Sequence, residues 1–162
     1  MEQITLFDPP YKYLIDSSSI LSQKPNDLFP RQVYKSLWQN IETLIREKVI
    51  ATCSEIEEEV KNDDVVGKWL GLLQCDILSI DDTVQHNVRR IVTEHPKMIS
   101  FSGGKGSSSG DAFLIATALK YKLIIITEEN KEKQNKIPQI CKDYRIQTVS
   151  LTDLCICEGW VF

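Results

Sequence analysis

The sequence predicts an α/β fold, a single-domain α/β/α sandwich around a mostly parallel central sheet. Two patterns carry that prediction. Short apolar segments alternate with helical segments along the whole chain. The apolar segments are continuous rather than alternating in polarity, as in strands covered on both faces. At 162 residues the chain has one domain's length, read as a single unit over 1–162 with its core from about 12 to 154.

The elements follow in order. Tyr13-Leu14-Ile15 is a first strand leading into Asp16 and three serines. From Pro30 a helix is predicted, with Val33, Leu37, Trp38, Ile41, Leu44 and Ile45 at helical spacing. Val49 to Thr52 reads as a second strand. Ser54 then opens a helix, with Glu57 three residues on as a capping-box partner. Trp69, Leu70, Leu72 and Leu73 continue helically, and Asp76 to Ile80 is a weak strand. Thr83 to His95 is a helix ended by Pro96, with Val84, Val88, Ile91 and Val92 on one face. Ser100 to Gly110 is a Gly/Ser-rich loop. Ala112, Ile115, Ala116 and Leu119 mark the next helix, and Leu123 to Ile126 is a β-branched strand. Ile137 to Tyr144 is a short helix, Gln147 to Ser150 a last strand, and a helical turn follows from Leu151.

Composition narrows the function classes. With 42% hydrophobic and 26% charged residues, wholesale disorder is excluded. A net charge of −4 argues against holding nucleic acid by bulk charge: either the chain does not bind nucleic acid, or it binds it through a local basic strip around an acidic centre. No apolar run is long enough to span a bilayer, and the N-terminus lacks the basic and apolar regions of a secretory signal. Five cysteines with no export signal fit reduced thiols in a cytoplasmic protein, and Cys155 and Cys157 are expected to be buried structural thiols.

Acidic residues recur where a doubly wound sheet gathers its chemistry, at the carboxyl ends of strands. Asp16 follows the first strand. Glu55, Glu57, Glu58 and Glu59 follow the second. Asp111 opens the helix before the fourth, and Glu128 and Glu129 end it. Crowded carboxylates repel one another unless protonated or bound to a cation. Oxygen ligands without His or Cys favour Mg²⁺ or Mn²⁺. Singly, each acid is better explained by a structural part such as helix N-terminal preference; the constellation is what argues for a site. Nucleophilic catalysis fits less well, because Ser17 to Ser19 and the cysteines have no evident base. His86 and His95 fall on a predicted surface helix. Lys105 is followed by Gly106, so the Gly-rich loop is not a P-loop.

Taken in order, YLIDSSSIL, EIEEEV and GDAFLIATALKYKLIIITEE, with KIPQICKDYRIQTVSLTDL downstream, resemble the PIN domain. That is the VapC-toxin-like family of metal-dependent nucleases. Within it, the chain is similar to an uncharacterised bacterial and archaeal branch with related T-E-E and K-I-P sequences. The resemblance runs from Tyr13 to about Leu154.

It implies four acidic positions around one or two Mg²⁺ or Mn²⁺ ions. Asp16 matches the first. Asp111 matches the third, within DAFLIATA. Glu129 matches the fourth, where relatives carry Asp in T-x-D, with Glu128 beside it. The second is Glu59, ahead of apolar Val60. Its i+3 relation to Ile56 agrees, and Glu55 and Glu58 are the alternatives. Ser17 and Thr127 would support a ligand carboxylate or a phosphate. Lys105, Arg31 and Lys35, with Arg89 and Arg90 after them, are the candidate phosphate contacts.

The resemblance therefore implies a metal-dependent endoribonuclease, the toxin of a toxin–antitoxin pair. Its partners would be RNA, a protein antitoxin and a second copy of the chain, with no membrane. The alternative is a catalytically degenerate PIN-like module that binds nucleic acid or protein. A phosphoacceptor receiver domain fits poorly, because Asp16 is followed by serines and the last strand ends in Ser150-Leu151-Thr152.

Overall fold

The computed structural model describes residues 11–98 and 109–162. Five strands form one sheet: β1 (Tyr13–Ile15), β2 (Ile50–Cys53), β3 (Ile77–Leu78), β4 (Ile124–Ile126) and β5 (Thr148–Val149). Their spatial order is β3-β2-β1-β4-β5, and all four pairings are parallel. Among the described residues eight α-helices connect or follow them: α1 (Ser17–Leu21), α2 (Lys35–Arg46), α3 (Ser54–Val60), α4 (Val66–Leu72), α5 (Asp82–Glu94), α6 (Ser109–Tyr121), α7 (Ile137–Asp143) and α8 (Leu151–Glu158). A 3₁₀ turn covers Pro96–Met98.

The sheet is central because its strands are apolar on both faces. Tyr13, Leu14, Ile15, Ile50, Ala51, Ile125 and Ile126 are all completely buried. Helices cover both sides, as a parallel sheet requires. From β1 the chain steps outward to β2 and β3, then returns to lay β4 on the other flank of β1 and β5 beyond it. The order therefore reverses between β1 and β4, and a crevice opens at the carboxyl ends of such a pair.

Several expected elements are shifted. The helix predicted from Pro30 begins at Lys35. Residues 30–34 instead form a turn closed by Val33 and Tyr34 amides on the Pro30 carbonyl, and Val33 is 74% exposed. The capping box at Ser54 and Glu57 does not form: the N-cap is Cys53, still extended from β2, and Ser54 is already helical. The capping box lies at Ser150 and Asp153, ahead of α8. The continuation through Leu73 is broken into α3 and α4, because Asp63 accepts the Val65 and Val66 amides at 3.1 and 2.9 Å and caps a fresh helix. Leu72 is consequently 83% exposed rather than packed. Cys157 is exposed and Cys155 half-buried, unlike the buried Cys53, Cys75 and Cys141. The five-residue α1 was not expected at all.

The return from helix to strand uses one device throughout. Lys48, Gln74, Lys122 and Arg145 stand just before β2, β3, β4 and β5, and all four adopt left-handed backbone, with φ of 65, 52, 57 and 56°. None is glycine, so the turns carried no Gly signal to read.

Candidate active site

Asp16 ends β1 and is the N-cap of α1, with extended backbone at φ −87° and ψ 157°. It is 1% exposed, so its carboxylate must be satisfied by protein. Oδ1 accepts the Ser17 amide at 2.8 Å. Oδ2 accepts the hydroxyls of Ser18 at 2.7 Å and Thr127 at 2.8 Å. The parallel pairing of Ile15 with Ile126 makes this possible, because it sets Asp16 beside Thr127 across the switch point.

The neighbouring acids approach Asp16 from three elements. Glu59, in the last turn of α3, accepts the Ser17 hydroxyl at 2.6 Å through Oε2. Asp111, in the first turn of α6, is 5% exposed and hydrogen-bonded to Glu129. Glu129 follows β4; its amide meets the Thr127 hydroxyl at 3.2 Å, and its Oε2 accepts the Ile137 amide at the start of α7 at 2.9 Å. Asp16, Glu59, Asp111 and Glu129 thus surround one crevice and act on one another's charge.

That crowding appears in the ionisation of Asp16 and Asp111. Burial pushes the Asp16 carboxyl up to about 6. The Ser18 and Thr127 hydroxyls oppose the rise, and the charges of Glu129 and Glu59 add to it. Burial also holds Asp111 well above the usual carboxylate range, reinforced by Glu129, Asp16 and Glu59. A hydrogen bond between two carboxyl groups requires a proton, so Asp111 is the donor and Glu129 the acceptor. Among the described residues no Lys, Arg or His forms an ion pair with Asp16, Asp111 or Glu129.

The donors suit a hard cation: four carboxylates and several hydroxyls, with no imidazole or thiolate among them. The arrangement is not closed around one point, and among the described residues no group of three or more acidic, His or Cys side chains is disposed to hold an ion. The Asp111–Glu129 and Glu129–Ile137 hydrogen bonds hold the carboxylates in their present positions.

The other expected site residues lie elsewhere or play other parts. Glu128 turns away from the crevice; its Oε1 accepts the Leu151 amide at 2.6 Å and caps α8, while its own amide donates to the Ser18 hydroxyl at 3.0 Å. Glu58 pairs with Lys61. Arg31 is held by Glu42, which also accepts the Trp69 indole at 2.7 Å. Lys35 is exposed at the first turn of α2. Lys105 lies outside the described residues. Sequence reasoning missed the role of Ser18, whose hydroxyl joins Asp16 to Thr127 (3.2 Å) and to the Glu128 amide. A serine two residues after a strand-ending Asp is a turn-forming signal that could have marked it.

The fold is PIN-like. FitAcB from Neisseria gonorrhoeae superposes with a TM-score of 0.55 at 15% identity, over 86% of this chain and 98% of that one. PAE2754 from Pyrobaculum aerophilum gives 0.55 at 13% identity, over 93% and 96%. VapBC2 from Rickettsia felis, bound to a DNA fragment from its promoter, gives 0.52 at 15% identity, over 85% and 97%. No curated protein matches the sequence. A family model described as a domain of unknown function, DUF4411, matches residues 13–162.

Proposed function

This chain belongs to the DUF4411 family, and we propose that it is a metal-dependent endoribonuclease, the toxin of a toxin–antitoxin pair. One observation carries the reading. Four carboxylates at the carboxyl ends of β1 and β4 lie within one another's electrostatic reach, and two of them, Asp16 and Asp111, are buried and held above their ordinary ionisation range. A fold has no structural use for such mutual repulsion, and strongly perturbed groups in a cleft mark functional sites.

Mg²⁺ or Mn²⁺ held by Asp16, Asp111 and Glu129, with Glu59 as the fourth acid, would supply an activated water and neutralise the departing oxygen. The protein's own part is orientation and proton storage. Ser17, Ser18 and Thr127 fix the Asp16 carboxylate. Asp111, held above the usual carboxylate range beside Glu129, would give up its proton in exchange for a bound cation. Glu59, at the rim, is oriented by Ser17 and can accept a proton from an attacking water. RNA is the proposed substrate. A protein antitoxin is the proposed partner by analogy with FitAcB and VapBC2, and a second copy of the chain is proposed from the PIN-domain resemblance alone.

The test is cleavage of mixed single-stranded and structured RNAs by chelator-stripped protein, with Mg²⁺ or Mn²⁺ added or withheld, beside Asp16→Asn. Cleavage requiring both metal and Asp16 is expected. Full activity in Asp16→Asn would overturn the assignment. The second reading, a degenerate binding module, draws on the engagement of Glu129 by α7. It predicts neither cleavage nor a Mn²⁺-dependent rise in Tm, whereas a native-state cation site raises Tm by mass action.

A further inference from the structure

An acidic crevice repels a polyanion, so cations must stand close by without neutralising it. We infer that the loop between β4 and α7, residues 130–136, is the phosphate-binding element of the site, with Lys133 and Lys136 as its contacts. This rests on the nuclease reading above and identifies where its substrate is held.

The loop reads Asn-Lys-Glu-Lys-Gln-Asn-Lys, with three lysines and one glutamate. It begins directly after Glu129 and ends where the Ile137 amide returns to Glu129 Oε2 at 2.9 Å. Both ends of the loop therefore meet at one carboxylate of the crevice. A turn from the Lys136 amide to the Lys133 carbonyl, at 3.2 Å, tightens its second half, and the Gln139 side chain holds the Lys131 carbonyl.

The three lysines differ in use. Lys131 is committed to Asp153 at 3.1 Å. Lys133 is exposed and Lys136 partly so, and neither forms an ion pair among the described residues. Lys136 is the N-cap residue of α7, one peptide from the amide that binds Glu129, yet its ammonium is not drawn onto that acid. Two lysines not engaged in an ion pair among the described residues therefore sit on the loop whose backbone starts and ends at Glu129. Lys is suited to this as a flexible point charge for phosphate. Arg31, spent on Glu42, is not.

The experiment measures binding of a fluorescent 20-nucleotide single-stranded RNA across a KCl series. All proteins carry Asp16→Asn so that the RNA stays intact. The parent is compared with Lys133→Ala/Lys136→Ala and with Lys122→Ala/Arg145→Ala, which removes the same charge at the opposite edge of the sheet. The loop variant should bind on the order of tenfold more weakly. Its log–log salt slope should fall by about 1.4, since each lost single-strand phosphate contact removes about 0.7. The opposite-edge variant should match the parent. Unchanged affinity and slope in the loop variant, or an equal loss in the opposite-edge variant, would overturn the inference.

The same substitutions in the Asp16 protein separate the two readings. Metal-dependent cleavage with an unchanged KM in the loop variant would overturn the loop's role alone. Absence of both binding and cleavage in the unsubstituted protein would overturn both. Retained Tm in the loop variant shows that the fold is intact.

Discussion

The two edges of the sheet use aspartate in opposite ways. At the amino edge, Asp76 precedes β3 and is met by Lys48, which precedes β2, at 2.9 Å, and by the hydroxyl of Tyr11, which precedes β1. The Tyr11 and Lys48 contacts hold its carboxyl below the usual range. At the carboxyl edge, Asp16 and Asp111 are buried among other acids, and both are pushed up. One edge spends its charges on holding strands together. The other accumulates charge that the fold alone leaves uncompensated, and stability is given up where a ligand is to be bound.

The largest effect should come from substituting Asp111. Asp111→Asn removes one of the four carboxylates and keeps the side-chain shape. Cleavage is expected to fall at least ~100-fold, the scale for losing a group that stabilises the reacting centre. The metal-free protein should become more stable. Even one unit of relieved shift is about 1.4 kcal/mol, or a Tm rise of roughly 3–6 °C at this chain length. Calorimetry in chelator, run beside the cleavage assay, reads both. A lower Tm would mean that Asp111 stabilises the fold, and the contrast between the edges would fail.

A pH series extends the contrast. A carboxyl whose folded pKa is raised keeps its proton longer in the native state, so stability falls as pH rises from the unfolded value, near 4, through the folded value. For Asp16 that window closes around 6, and for Asp111 it extends higher. Asp76 works the other way: its contribution is present above the unfolded value and is lost as pH falls through its depressed one. Metal-free protein should therefore have its highest Tm near pH 5 and lose stability toward pH 8. Added Mn²⁺ should flatten the alkaline side by replacing the protons. A Tm that climbs steadily to pH 8 in chelator would contradict the protonation assigned to the crevice.

How much of this could be read in advance depended on the kind of signal. Strand and helix identities were legible because β-branched apolar runs such as Leu123 to Ile126 have no competing reading. That acids recur on the carboxyl side of the sheet could be read from the strand order, since a parallel sheet fixes where those ends lie, whereas the choice of Glu59 among its neighbours and of Glu129 over Glu128 came from the resemblance. What escaped depended on partners distant in sequence. Glu128 and Glu129 are adjacent and chemically alike, yet one caps α8 and the other meets Asp111 and α7. Arg31 looked available for phosphate until Glu42, eleven residues on, was seen to hold it. The break between α3 and α4 needed Asp63 to be recognised as a cap in the middle of a periodic run.

Substituting the amino-edge aspartate should have a smaller effect, confined to stability. Asp76→Asn keeps hydrogen-bonding capacity toward Tyr11 but removes the charge that Lys48 meets. The pair is partly exposed, so a loss of about 1 kcal/mol is the appropriate scale, or a Tm drop of roughly 2–4 °C. Cleavage should be unchanged. Lost activity at unchanged Tm would connect the two edges in a way their separate hydrogen bonds do not.

The smallest effect concerns the left-handed turns that supply the amino edge. Gln74 enters β3 at φ 52°, its side chain is exposed, and its backbone carbonyl accepts Lys48 at 3.0 Å. A side chain in that region costs roughly 1–2 kcal/mol, and glycine avoids the cost. Glycine also adds roughly 0.5–1 kcal/mol of unfolded-state freedom, which opposes the gain. Gln74→Gly should therefore raise Tm by only about 1–2 °C, taking the difference as about half a kcal/mol. The hydrogen bond from Lys48 is to backbone and survives the substitution. A fall in Tm would show that the Gln74 side chain contributes more at this turn than its exposure implies. A rise would show strain at the amino edge that relaxes without touching the crevice, whereas relief of Asp111 is expected to cost the activity.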